Sequence, residues 1–272
     1  MNSPTVSLMI STYNWPSALN LCLQSVMNQS CLPDEVIVAD DGSGEETQLL
    51  IKSFQSKFPV PLIHVWHEDV GFRLTVIRNK AFARCTCDYV IQIDGDLILH
   101  KDFIKDHKRF AQEGSYVSGS RVKLSKEYSE KLQTGNDTID KVSVFKKGTK
   151  NFMNGLHLTF LSKFFEFHKK NRLYYVRGCN MAFWRNDLLQ VNGYNEDIVG
   201  WGREDNEIAC RLDNLGRARR IIKFAGIVFH QYHDERSRER LDENDDLLHK
   251  TIVDKTIYCK NGMDKYTIKG EL

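Results

Sequence analysis

Asp94 and Asp96 stand two residues apart at the end of the apolar run Ile91-Gln92-Ile93, with Gly95 between them. In an extended segment the side chains at i and i+2 point to the same side, so both carboxylates can converge on one ligand. The glycine leaves room for a bulky anionic group to approach the backbone. Two hard oxygen ligands at a strand end suit magnesium or manganese, whose shell is then completed by phosphate oxygens or water. The same residues also fit a strand that simply ends in an Asp-Gly turn. A second acidic pair, Asp40-Asp41-Gly42-Ser43, follows the apolar run 35–39, and the polar stretch Ser11-Thr12-Tyr13-Asn14 follows 6–10. Near the carboxyl end, Gly200-Trp201-Gly202-Arg203-Glu204-Asp205 sets a tryptophan between glycines ahead of two acids. Acids in a first helical turn are favoured by the helix dipole. Capping gives no reason for the tryptophan, a flat apolar surface of the kind on which a sugar ring stacks.

The elements that must position these groups alternate in type. Apolar, β-branched runs at 6–10, 35–39, 62–66 and 89–93 predict strands, and helical spacings after Pro16, after Ser43 and from Arg73 predict helices between them. Such alternation implies right-handed crossovers and a mainly parallel, Rossmann-like α/β sheet flanked by helices. Ligands bind outside the carboxyl ends of such strands, where 11–14, Asp40-Asp41 and Asp94/Asp96 all fall. Arg73 and Arg78 lie on the helix beside that rim. A guanidinium there can hold a pyrophosphate or a base carbonyl; a surface ion pair is as good a reading for Arg78 and a poorer one for Arg73.

Further along, 103–110 predicts an amphipathic helix whose His107, like His100, is expected to be partly solvated and without a site role. A strand is expected at 116–119. The organisation expected is one continuous domain, with a half at 1–120 built on the strand rim, a variable insertion at 121–172 and a half at 173–272 that carries the Trp201 loop. Within the insertion, 151–172 interleaves aromatics with Lys163, Lys169, Lys170 and Arg172. That pattern fits a basic amphipathic segment on an anionic membrane face, and also a helix packed on the core with a solvated basic end. Tyr174 to Trp184 is a strand-like run in which Gly178 would let a ligand approach the backbone, with Asn180 beside it. Asn192-Gly193 closes a short helix, Ile227 to His230 ends a strand in histidine, and 234–246 is expected to be a solvated helix. Residues 260–272 carry no identifiable chemistry.

Composition narrows the classes. The 272 residues are 41% hydrophobic and 27% charged with a formal net charge of +2, ordinary for a soluble globular protein and giving no reason to expect a nucleic-acid partner. No run of about 18 apolar residues and no signal-like leader occurs, so neither a secretory signal nor a membrane-spanning helix is expected. The seven scattered cysteines do not form a disulfide or zinc pattern and are expected to be reduced, in the cytoplasm, with the inner face of the membrane as a possible station. The absence of Gly-x-x-x-x-Gly-Lys-Ser/Thr excludes a P-loop hydrolase.

Three stretches, 6–14, Val38-Ala39-Asp40-Asp41-Gly42-Ser43 and Asp94-Gly95-Asp96, resemble those of family 2 glycosyltransferases, which have the GT-A fold. The resemblance implies that Ser11 and Tyr13 contact the nucleotide of a UDP-sugar and that Asp41, or Asp40, accepts from the uracil N–H. Arg73 looks like the family's donor-side arginine. Asn192-Gly193-Tyr194 with 200–205 is similar to the acceptor motif of β-1,4-galactosyltransferases and chondroitin-polymerase-like enzymes. By that similarity Asp205 is the general base, Glu204 contacts sugar hydroxyls, Trp201 stacks on sugar, and a histidine from a late strand, His230 with His233 as the alternative, joins Asp96 on the metal. The function implied is inverting, metal-dependent transfer of galactose or an N-acetylhexosamine to a saccharide or lipid-linked saccharide, in bacterial surface polysaccharide or lipopolysaccharide assembly. The alternatives are a domain of a processive polysaccharide synthase and a binding protein without chemistry.

Overall fold

The computed structural model describes residues 3–143, 145–168, 171–234 and 238–267. β1 (Val6–Thr12), β2 (Glu35–Asp40), β3 (Leu62–Trp66) and β4 (Tyr89–Asp94) alternate with α1 (Pro16–Met27), α2 (Glu45–Gln55) and α3 (Leu74–Phe82), as the apolar spacings predict. There follow β5 (Leu97–Leu99), α4 (Phe103–Phe110), β6 (Ser115–Gly119), β7 (Val122–Lys123), α5 (Lys126–Gln133) and α6 (Thr159–Ser162). The carboxyl-terminal part adds β8 (Asn180–Trp184), α7 (Arg185–Val191), α8 (Glu204–Asn214), β9 (Ala218–Ile222), β10 (Val228–His230) and α9 (Leu241–Val253).

Among the described residues the strands form a seven-stranded sheet in the order β3-β2-β1-β4-β8-β6-β9 and a small sheet β5-β10-β7. β1 to β4 are parallel, and β8 enters antiparallel between β4 and β6. Successive strand residues face opposite sides, so Leu8 and Ile10 join the core under α1, α2 and α4 while Met9 joins the one under α3 and α8. Burial on both faces is why β1, β2 and β4 are largely apolar rather than alternating, whereas β3, at the sheet edge, is only partly buried.

Three expectations are corrected by packing. His107 is fully buried, with Nε2 3.1 Å from Asn180 Oδ1, because the apolar face of α4 carries it under β8. Leu173–Tyr175 is a 3₁₀ turn and the strand starts only at Asn180, since the chain must first pass the start of α8, where Asn206 donates to the Leu173 carbonyl. The charged tail, of which 235–237 lie outside the described residues, leads into α9; this helix buries Asn244, Leu248 and Thr251, and Thr251 donates to Glu207 on α8. Residues 260–267 also serve packing, since the Met263 N–H bonds the Asn192 carbonyl.

Candidate active site

Strand register assembles the rim. β1 pairs with β2 and β4 so that Thr12 lies beside Asp40 and Ser11 beside Asp94. The space that Gly95 leaves is taken by β1 rather than by a ligand: a Cβ there would lie 3.0 Å from the Ser11 carbonyl oxygen. The loops that follow β1 and β2 are laced together. Asp40 accepts from the Ser43 N–H and meets His64 Nε2 at 2.9 Å, and Asp41 accepts from the Arg73 N–H and meets His67 Nε2 at 2.8 Å. Burial pushes the Asp41 carboxyl up, and its bonds from His67 and Arg73 oppose that. Gly42 holds φ +94°, and a Cβ there would lie 2.6 Å from Asp69 Cα, so the turn closes only with glycine. Tyr13, partly exposed, donates to Asp69. The Arg73 Nε is buried without a protein acceptor, a donor left for something else to satisfy.

Arg78 is the centre of the cluster. It is buried on α3, and its Nε donates to Ser11 Oγ at 3.2 Å, Nη1 to Asp205 Oδ1 at 3.1 Å and Nη2 to Asp94 Oδ1 at 3.1 Å. Thr75, Arg78 and Phe82 recur at helical spacing and all are buried, so the stripe that could have revealed Arg78 was present in the sequence. Its neighbour Asn79 holds Tyr194 through the backbone at both N–H and C=O, and the Tyr194 ring lies under the guanidinium at 5.2 Å.

Asp205 opens α8. Its Oδ2 accepts from the Gly178 N–H at 2.7 Å, and its Oδ1 is also 3.1 Å from Tyr194 Oη. A Cβ on Gly178 would sit 2.1 Å from Asp205 Oδ1. The missing side chain therefore admits the Asp205 carboxylate, not a ligand, which corrects the expected role of Gly178. Asn180 is corrected too: it is wholly buried, and its amide is spent on His107 and on the Gly226 carbonyl beneath the rim. Glu204 accepts from the Gly202 N–H, and burial, with the Asp205 charge beside it, pushes its carboxyl up to about 8. It therefore keeps its proton to a higher pH than an ordinary glutamate, and in that form it can donate a hydrogen bond.

Trp201 is 40% exposed, between Gly200 at φ +77° and Gly202 at φ +105°. The loop is held from behind by α9. Buried Asn244 donates to the carbonyls of Val199 (3.1 Å) and Gly202 (3.0 Å), one on each side of Trp201, and Arg203 forks onto Asp245. Asn244→Ala is expected to raise severalfold the KM of a substrate that stacks on Trp201, with a smaller change in kcat, because it frees the loop without touching Asp205. A lowered kcat with unchanged KM would rule out that loop-holding role.

The metal candidates converge. His230 Nε2 and His233 Nε2 each lie 3.4 Å from Asp96 Oδ2. Each Nδ1 faces a backbone carbonyl, of Gln231 at 2.8 Å and of Asp234 at 2.7 Å, which holds the proton there and leaves both Nε2 lone pairs turned to Asp96. Asp96 Oδ1 is buried without a hydrogen-bond partner. An orphaned carboxylate oxygen beside two imidazole lone pairs, with no donor among them, is the donor set a divalent cation needs. His233 is thus brought to the same point as His230 rather than standing as its substitute.

A nucleotide-sugar-type α/β sheet with carboxylates gathered at the rim defines a GT-A glycosyltransferase. The chain belongs to glycosyl transferase family 2, whose model matches residues 7–188; residues 158–234 match the model described as N-terminal domain of galactosyltransferase. It is 27% identical to a chondroitin synthase of Escherichia coli over 247 residues, covering 83% of this chain and 34% of that protein. It is 25% identical to a hyaluronan synthase of Pasteurella multocida over 244 residues, covering 85% of this chain and 24% of that one. The chain therefore spans about a third or less of these synthases. Among solved structures it is similar to Staphylococcus aureus TarS 1–349 in complex with UDP-GlcNAc (TM-score 0.65, 14% identity, 96% of this chain and 69% of that one). It is also similar to the mannosyltransferase PcManGT of Pyrobaculum calidifontis in complex with GDP-Man and Mn2+ (TM-score 0.58, 18% identity, 94% and 63%).

Proposed function

We propose that the chain is an inverting, metal-dependent transferase that moves a galactosyl or N-acetylhexosaminyl group from a UDP-sugar to a saccharide acceptor, free or lipid-linked, in the assembly of a bacterial surface polysaccharide or lipopolysaccharide. The observation that carries this reading is the single guanidinium of Arg78 between Asp94 and Asp205, which sets the donor-side carboxylate and the candidate base on two sides of one cation. The acceptor hydroxyl gives its proton to Asp205 as its oxygen bonds to the anomeric carbon. The bond from that carbon to the β-phosphate oxygen breaks, and its electron pair leaves on UDP. Attack from the side opposite UDP inverts the anomeric centre.

Ser11, Tyr13, Asp40, Asp41 and Arg73 line the donor side; uracil N3 is a donor and a carboxylate only accepts, so Asp41 or Asp40 matches it. Asp94 faces the ribose or the metal. Trp201 offers its exposed face to the acceptor ring, and neutral Glu204 donates to a sugar hydroxyl. Manganese or magnesium would be held by Asp96, His230 and His233 and would offset the charge on the departing diphosphate; two imidazoles favour manganese. Arg121, which donates to Cys179 Sγ at 3.5 Å in the field of Asp94 and Asp96, is placed to share that work.

EDTA is expected to lower transfer about a hundredfold or more, with manganese restoring it, because such a cation supplies several kcal/mol of charge stabilisation. Asp96→Ala should weaken manganese binding in parallel. Transfer unaffected by exhaustive chelation would sink the metal assignment. A second reading, repeated addition as part of a polysaccharide synthase, is favoured by the names of the relatives, and the length distribution of products from a short acceptor separates it from single addition.

A further inference from the structure

The segment 151–168 does not bury its aromatics as a core helix would. Phe160, Lys163, Phe164 and Phe167 stand at i, i+3, i+4 and i+7 along α6, the 3₁₀ turn Lys163–Phe165 and the turn after it. Such steps lie on one face of a helical path. That face points outward: Phe160 is 70% exposed, Phe164 82% and Phe167 50%, with Lys163 exposed among them. The other side of the same path makes the contact with the body of the protein, where Phe165 packs on Phe224 at 5.4 Å, Ser162 is buried and the Leu158 N–H bonds the Phe224 carbonyl. The polarity of an ordinary surface helix is thus reversed, and single scattered apolar residues do not explain three phenylalanines in one stripe.

Charge accompanies the stripe. Between Phe160 and Arg172 the sequence holds four basic residues, Lys163, Lys169, Lys170 and Arg172, and one acid, Glu166, a surplus of three positive charges in a chain whose formal net charge is only +2. Glu166 is itself neutralised, bonded to Arg220 Nε at 3.2 Å and paired with its Nη2 at 2.5 Å. Lys223 lies 5.1 Å from the centres of both Phe165 and Phe224, so a further cation borders the contact. Separate aromatic tips standing out among lysines match an interface that is apolar below and anionic above, where rings enter the acyl boundary and ammonium groups remain among headgroups.

We infer that this stripe is a membrane-docking surface and that its partner is the face of an anionic lipid bilayer. Docking there is peripheral and reversible, and no helix among the described residues is long and apolar enough to cross a membrane. The surface would hold the chain where a lipid-linked acceptor is presented, although the inference does not depend on the acceptor.

The test is co-sedimentation of the full chain with vesicles of phosphatidylcholine alone and of phosphatidylcholine with phosphatidylglycerol in equal parts. Binding is expected to the anionic vesicles and to weaken as salt rises. Phe160→Ser with Phe164→Ser should reduce it roughly tenfold or more at every salt concentration, since each ring loses its burial in the bilayer. Lys163→Glu should weaken binding mainly at low salt. Both positions are exposed, so the variants should keep the melting temperature and the hydrolysis of UDP-sugar of the parent chain. The inference is overturned if the chain stays in the supernatant with anionic vesicles, or if the double phenylalanine variant sediments like the parent. It is overturned equally if the stripe proves to join two copies, seen as a dimer that the same variant dissociates while vesicle binding is absent.

Discussion

Asp205→Asn is expected to lower turnover by about 10²- to 10⁴-fold, the range for removing a general base, while UDP still binds. The separation is expected because Asp205 touches Arg78, Gly178 and Tyr194 but none of the loops at 11–14 or 40–43. Asparagine has one acceptor oxygen where aspartate has two, so its amide must face either the Gly178 N–H or the Arg78 fork, at a cost of about 1–3 kcal/mol in stability. A melting curve recorded with the kinetics keeps that cost apart from the loss of the base. Glu204→Gln is the control. Burial and the Asp205 charge push the Glu204 carboxyl up, so it favours its neutral form more than an ordinary glutamate does, and a neutral amide should retain most of the turnover that Asp205→Asn loses. If Asp205→Asn turned over almost normally, or Glu204→Gln proved the more damaging, the base would have been assigned to the wrong carboxylate.

The second large effect is expected at Arg78. Arg78→Met keeps the length and the apolar contact with Tyr194 but leaves Asp94 and Asp205 facing the site without their shared cation. Breaking a buried ion pair from one side typically costs about 3–5 kcal/mol. Here about 2–4 kcal/mol is expected, since the Asp94 side chain keeps 32% of its surface in contact with solvent, which screens part of the repulsion. Turnover should fall about a hundredfold or more, because misplacement of a reacting group by an ångström is enough for that. Arg78→Lys should recover stability and little activity, as one ammonium cannot reach Ser11, Asp94 and Asp205 together in the fork geometry. An Arg78→Met chain with parental melting temperature and kcat would show that the cluster does not depend on this cation.

These two sites also mark where reading the residues in order stops being sufficient. The strands and the carboxylates at their ends were legible, because alternation of strand and helix fixes the rim and period-two spacing fixes which side chains share a side. Asp40-Asp41, Asp94 and Asp96 lie where that logic puts them, and the two histidines were named, though as alternatives rather than partners. Gly178 and Asn180 depart from their expected roles for a common reason. A glycine or amide near a site signals a close approach or a buried polar contact, but only the packed chain says what approaches: the Asp205 carboxylate in one case, His107 and Gly226 in the other.

What this sequence determined by itself was local: element type, the face on which an acid stands and the motifs that place the chain among GT-A enzymes. The tertiary structure alone decided three matters that join distant parts of the chain. Arg78 meets a carboxylate 127 positions away, Asn244 on α9 fixes both ends of the loop that carries Trp201, and the aromatic stripe at 160–167 faces solvent instead of core. Periodicity defines a stripe without saying which side of the element the rest of the protein will cover. That choice is made when helices and strands compete for the same apolar surface, and here the segment 159–168 met the body of the protein through Phe165, leaving Phe160, Phe164 and Phe167 outside.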